Sequence, residues 1–88
     1  MDTVSLRDRV NKVVEMLVSF RGLDPRVEEG INNFRYIGEC ISDPSKERIA
    51  ESRLLVSELK ESIGPYRNFV PEVASTLEAV ESWLRTFD

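Results

Sequence analysis

Carboxylates, arginines and one cysteine are the side chains of this chain that could do chemistry. The sequence has 16 acidic residues, 12 basic residues and no histidine, and Cys40 is its single cysteine. Paired carboxylates can act as general acid and base, and a cysteine beside a histidine can act as a nucleophile. Without histidine, a Cys-His dyad, a Cys-His zinc site and the Glu-x-x-His ligands of di-iron bundles are all excluded.

The acidic residues lie at helix positions that are usually exposed to solvent. Each falls on a polar helix face or in a first helical turn, where an ordinary carboxylate favours the helix dipole. The glycines are too far apart to form a phosphate-binding loop, and they are Gly22, Gly30, Gly38 and Gly64. We therefore predict no catalytic residue, no metal and no cofactor, and the sequence favours a protein that is not an enzyme.

The arginines are scattered along the chain with acidic residues between them. The formal net charge of -4 repels phosphate backbones, and scattered charges of this kind usually form ion pairs. Two alternatives stay open. A nucleic-acid-associated protein could use clustered arginines if the first and third helices bring together Arg7, Arg9, Arg48 and Arg53. A bundle enzyme could bind a small anionic substrate through arginines that converge from different helices.

The first predicted helix carries a wide apolar surface. Its stripe has helical spacing and consists of Leu6, Val10, Val13, Leu17 and Phe20. Val14 and Val18 widen this stripe on one side and Met16 on the other, so the apolar arc covers roughly half of the helix circumference. A helix with such an arc needs more than one neighbour. It is either central in a monomer or shared across a dimer, and we favour the dimer.

Capping signals divide the chain into four helices. Gly22 is a C-terminal stop, and Asp24-Pro25 and Asp43-Pro44 each supply an N-cap followed by a proline at the first helical position. Gly64-Pro65 ends the third helix, and Asn68 is a candidate cap for the fourth. The predicted helices cover residues 3–21, 25–41, 44–63 and 70–87.

The last three helices each carry one apolar stripe. In the second helix the stripe consists of Val27, Ile31, Phe34, Ile37 and Ile41. In the third helix it consists of Ile49, Ser52, Val56, Leu59 and Ile63, and in the fourth of Val73, Leu77, Val80, Leu84 and Phe87. Gly38 interrupts the second helix, which predicts close approach by another helix. No strand signal competes with the helical pattern. We predict an all-α, antiparallel up-down-up-down four-helix bundle that forms one domain over residues 1–88.

The chain lacks an apolar run of the ~18 residues that a membrane span needs, and it does not begin with a basic and then apolar segment. We therefore expect a soluble, cytoplasmic, acidic protein that does not bind membranes. Glutamine is absent and arginine outnumbers lysine, which suggests a thermophilic source.

Five residues stand out from the bundle pattern. Met16, Val18 and Trp83 lie beside the apolar stripes, and Trp and Met are enriched in interface cores. Tyr36 lies within an otherwise solvated polar stripe that Cys40 shares, and Leu54 lies on the far side of the third helix. We predict a small helical protein-interaction or structural module that forms a homodimer and binds an unknown protein partner through these residues.

Overall fold

A computed structural model of the chain describes residues 2–64 and 70–88. These residues fold into four α-helices. They are α1 (Thr3–Val18), α2 (Pro25–Ser42), α3 (Lys46–Ile63) and α4 (Pro71–Arg85). No strand occurs in these described ranges. The all-α prediction is therefore confirmed, whereas the predicted cap at Asn68 lies outside the described residues.

Each helix packs against two others. α1 contacts α2 and α4, and α3 contacts α2 and α4. Across the part of the chain that the structure describes, the diagonal pairs α1–α3 and α2–α4 have no significant backbone contact. This ring of contacts is the one expected of an up-down-up-down bundle.

The core receives side chains from all four helices, and the predicted stripes supply most of them. The ends of two stripes are exceptions, because Phe20 and Phe87 are exposed. Cys40 is also placed differently from its predicted polar face, since it is fully buried in the core. α2 packs against both α1 and α3, so its buried arc is wider than its apolar stripe.

The broad apolar arc of α1 is largely used inside the chain. Val14, Met16 and Leu17 are partly buried and pack against the core, and Val18 is exposed at the last residue of the helix. The width of the arc therefore does not require a second copy of the chain. This removes the reason for which the sequence pattern favoured a dimer.

α1 and α2 approach each other across two glycines. A Cβ atom added at Gly38 would lie 3.6 Å from Cγ1 of Val10, and one added at Gly30 would lie 3.6 Å from Cδ1 of Leu17. Side chains of α1 thus occupy the space beside both glycines. α1 is the neighbouring helix at Gly38, and a methyl group added there would be in ordinary van der Waals contact with Val10.

α1 ends at Val18, three residues before the predicted end at residue 21. The hydroxyl of Ser19 donates to the carbonyl of Met16 at 2.6 Å, and the following backbone N–H groups donate to carbonyls three residues back. Gly22 then adopts the left-handed region with φ of 93°. Residues 19–23 therefore form a turn between α1 and α2.

Asp24 caps α2 as predicted, and Asp2 caps α1, since each carboxylate accepts a hydrogen bond from a first-turn N–H. The predicted cap at Asp43 is wrong. The backbone N–H of Asp43 donates to the carbonyl of Glu39 and belongs to the end of α2, whereas the hydroxyl of Ser45 accepts from the N–H of Arg48 at 3.1 Å. α3 consequently begins at Lys46 instead of residue 44.

α4 begins at Pro71, one residue after the predicted start, and ends at Arg85 instead of residue 87. Proline at the first helical position needs no hydrogen-bond acceptor for its nitrogen. At the other end, the hydroxyl of Thr86 donates to the carbonyl of Trp83 at 2.6 Å, which completes the last turn. Phe87 therefore lies beyond the helix.

We expect Ser52→Ala to stabilise the protein. The Ser52 hydroxyl is fully buried and has no hydrogen-bond partner among the described residues, so it pays a desolvation cost without compensation. Removing it should raise the free energy of unfolding by about 1 kcal/mol in urea denaturation. Ser57→Ala is the matched control, because Ser57 is exposed on the same helix and reports helix propensity alone. A gain no larger than that of Ser57→Ala would contradict the expectation.

Substitutions at Gly38 should distinguish two effects on the free energy of unfolding, which are the helix propensity of the residue and its contact with α1. Gly38→Ala should raise the free energy of unfolding by up to ~1 kcal/mol, because the methyl fits beside Val10 and alanine favours the helix. Gly38→Leu should lower it by about 1–3 kcal/mol through overpacking. Thermal and urea unfolding followed by circular dichroism measure both changes. Equal stability of the two variants would show that α1 does not pack closely at this position.

Candidate functional site

An apolar groove of about 400 Å³ opens at the end of the bundle where α1 ends and α2 begins. The end of α1, the 19–23 turn, the first half of α2, the end of α3 and the start of α4 line it. Its main apolar lining residues are Leu17, Phe20, Leu23, Val27, Ile63 and Val70. We call this surface the apolar groove.

Two large side chains of the 19–23 turn line the apolar groove and stay exposed. Phe20 is 45% exposed and Leu23 is 78% exposed. The backbone N–H of Leu23 donates to the carbonyl of Phe20 at 3.2 Å, which keeps the turn closed. Because α1 ends at Val18, both residues lie in the turn instead of in the core stripe. Adjacent exposed apolar side chains are typical of an interaction surface.

The floor of the apolar groove comes from the core. Phe34 and Leu59 line it from α2 and α3 and are both buried. Gly30 also lines the groove, and the Leu17 side chain lies beside it. Since Gly30 has no side chain, nothing projects from this position of α2 into the groove.

The rim of the apolar groove carries charged residues from α2 and α3. At the start of α2, the Asp24 carboxylate accepts from the guanidinium of Arg26 at 2.8 Å and from its backbone N–H at 2.9 Å. These hydrogen bonds from the Arg26 side chain and backbone hold the pKa of Asp24 below its ordinary value. Asp24 therefore remains ionised, and the pair is compensated in charge.

Glu29 on α2 and Glu58 on α3 also line the apolar groove. Both are exposed, and neither forms an ion pair with another described residue. The neighbouring Glu28 differs, because its carboxylate binds Arg21 at 2.8 Å. The rim thus has two carboxylates that form no ion pair with another residue in the described part of the chain.

The five residues predicted at the contact do not come together. Trp83 is only 8% exposed and packs edge to face on Phe87, with ring centroids 4.9 Å apart. Met16 lines a separate cleft between α1 and α4. Val18 is exposed at the end of α1, Tyr36 is partly buried on α2, and Leu54 is 61% exposed on α3. None of the five lines the apolar groove.

The four arginines of the nucleic-acid alternative also lie on different surfaces. Arg9 donates to the hydroxyl of Ser75 on α4 at 2.7 Å, whereas Arg53 donates to the Leu84 carbonyl and binds Asp88. These contacts place Arg9 between α1 and α4 and Arg53 between α3 and the end of α4. The two residues therefore add nothing to a patch formed by Arg7 and Arg48.

A shallow concave surface does bring together arginines from three helices. Arg7, Arg35 and Arg48 line it, and so do Glu39 and Asp43. The Arg48 guanidinium binds the Asp43 carboxylate at 2.9 Å. The two carboxylates offset most of the positive charge, so this surface is a weak candidate for binding anions.

The metal and membrane alternatives gain no support from the described residues. Within residues 2–64 and 70–88, no cluster of three potential ligand residues could hold a metal ion. No described helix combines the length and apolar character that crossing a membrane requires.

Sequence reasoning missed the turn residues of the apolar groove. Phe20 has the spacing of the α1 stripe, which predicts a core position, and Leu23 belongs to none of the predicted helices or stripes. The available signal was the pair of apolar residues on either side of Arg21-Gly22, in a segment that turn residues should dominate. That signal could suggest exposed apolar side chains, but it could not identify the helices that form the groove.

Comparisons with known proteins identify no relative from which a function could be inferred. No protein-family model matches the chain, and no curated protein or solved structure matches it. The apolar groove and its charged rim are therefore the basis for a functional proposal.

Asp24→Ala should destabilise the protein in a pH-dependent way. The variant loses the N-cap of α2, so its melting temperature at pH 7 should be lower than that of the wild type. Because folding lowers the Asp24 pKa, the stabilisation is present above the carboxyl's unfolded pKa and is lost as the pH falls through its folded pKa. Melting temperatures of the two proteins should thus converge in acid. A difference that stays constant with pH would contradict a role for the ionised carboxylate.

Proposed function

We propose that this protein is a helical interaction module that binds an amphipathic helix of a partner protein in the apolar groove. The exposure of Phe20 and Leu23 beside a floor of buried core residues carries this proposal. A helix presents apolar side chains at positions i, i+3, i+4 and i+7, which together form an apolar face that can pack into an apolar groove.

A partner protein is a better occupant than a second copy of the chain. The apolar stripes of all four helices are mostly buried in the chain's own core, so a folded second copy has no such stripe to offer. A second copy would also bring another net charge of -4 toward the rim carboxylates of Glu29 and Glu58. The homodimer is therefore the competing outcome that the binding experiment must distinguish.

The anion-binding alternatives have less support. Arg9 and Arg53 lie apart from Arg7 and Arg48, and the surface that holds Arg7 also holds two carboxylates. The apolar groove has a larger apolar lining and two exposed apolar turn residues.

Leu23→Ser should weaken peptide binding without unfolding the protein. The probe is a labelled amphipathic peptide of about four helical turns with leucines on one face and no net charge. Burying Leu23 against the peptide is worth ~1.5 kcal/mol or more, so its loss should raise Kd about tenfold in fluorescence anisotropy. Because Leu23 is exposed in a turn, the melting temperature should change little.

Leu54→Ser is the matched control for this experiment. Leu54 is an exposed leucine outside the apolar groove, so its replacement should leave Kd unchanged. Light scattering of the protein alone, over a wide concentration range, should give a monomer mass. Failure of the wild type to bind, an equal loss for Leu54→Ser, or a dimer that Leu23→Ser dissociates would each contradict the proposal.

A further inference from the structure

We infer that the helix bound in the apolar groove is basic, with Lys or Arg residues flanking its apolar face. This inference rests on the proposed function and specifies the chemistry of the partner. It follows from the positions of Glu29 and Glu58, whose carboxylates line the groove and form no ion pair with a described residue.

The two carboxylates come to the groove from different helices. Glu29 belongs to α2 and Glu58 to α3, and each is adjacent in sequence to a residue of the floor, Gly30 and Leu59 respectively. A helix that contacts both α2 and α3 in the groove would therefore meet two carboxylates. Basic residues beside its apolar face would pair with them.

The remaining rim charges do not favour an acidic partner. Asp24 and Arg26 already bind each other through their side chains, and Arg26 also donates its backbone N–H to the Asp24 carboxylate. Together with the net charge of -4, the described rim charges therefore repel acidic helices and attract basic ones.

The effect on affinity should be moderate and sensitive to salt. Ion pairs at an exposed rim are screened by water and ions, and each one changes affinity by roughly two- to fivefold. Charges at a rim act more strongly on the association rate than on the dissociation rate. The charge preference should therefore appear as faster association of basic helices at low ionic strength.

Three peptides with one apolar face test the inference. They share the same leucines and differ only in the flanking residues, which are all lysine, all glutamine or all glutamate. At low salt we expect the lysine peptide to bind about tenfold more tightly than the glutamate peptide, with the glutamine peptide between them. The difference should arise mainly in the association rate and should shrink at about 1 M salt.

Two double variants of the protein show whether its preference for the lysine peptide comes from pairing with Glu29 and Glu58 or from the net charge of the protein. The variant Glu29→Gln with Glu58→Gln removes both rim carboxylates and should abolish most of the preference for lysine. The variant Glu15→Gln with Glu51→Gln changes the net charge equally at exposed sites outside the groove, so it should keep most of that preference.

The outcomes distinguish this inference from the proposed function. If none of the peptides binds, the proposed function fails. If all three bind with equal affinity, the groove binds helices but the inference of a basic partner is overturned. If the two double variants lose the preference equally, net charge explains it and the pairing with Glu29 and Glu58 is overturned.

Discussion

The close contact between α1 and α2 across Gly30 and Gly38 is the constraint on which the candidate site depends. At Gly38 the neighbouring side chain is Val10 in the core, and at Gly30 it is Leu17 beside the groove. The same helix pair thus forms core packing at one glycine and an open apolar surface at the other. At each glycine, a side chain of α1 lies 3.6 Å from where a Cβ atom of α2 would be.

The early end of α1 leaves apolar side chains exposed beside this packed helix pair. A helix that continued to residue 21 would have kept Phe20 in the stripe of α1. Instead, the turn with Gly22 in the left-handed region returns the chain to the cap at Asp24 and leaves Phe20 and Leu23 exposed. The exposed apolar side chains and the uncompensated carboxylates then lie at the same end of the bundle, which is the combination that a basic amphipathic helix would recognise.

The sequence predicted the helices well because their apolar stripes are regular. The four- and three-residue spacing from Val73 to Leu84 is sufficient to identify the buried face of α4, and the cap at Asp24 follows from Asp24-Pro25. Exact helix ends were harder to predict, since they depend on competing hydrogen bonds. Ser45 and Asp43 are both good caps by residue type, and only the geometry shows that Ser45 is the one that accepts the N–H of Arg48.

The candidate site could not be predicted to the same degree because it is formed by contacts between helices. Trp83 was assigned to an interface by residue type, yet its ring is buried against Phe87 within the chain. Cys40 was assigned to a polar face, yet α2 is covered on two sides. The groove combines residues of α1 with residues of α3 and α4 that are distant in sequence, so periodicity within a single helix could not reveal it.

Methyl NMR of the protein titrated with the lysine-flanked peptide tests the central claim most directly. If the peptide occupies the apolar groove, the methyl signals of Leu23, Val27, Ile63 and Val70 should shift, whereas those of Leu54 and Val4 on other exposed surfaces should not. Shifts centred on Leu54 or Val4, or no shifts at saturating peptide, would contradict the claim that this groove is the binding surface.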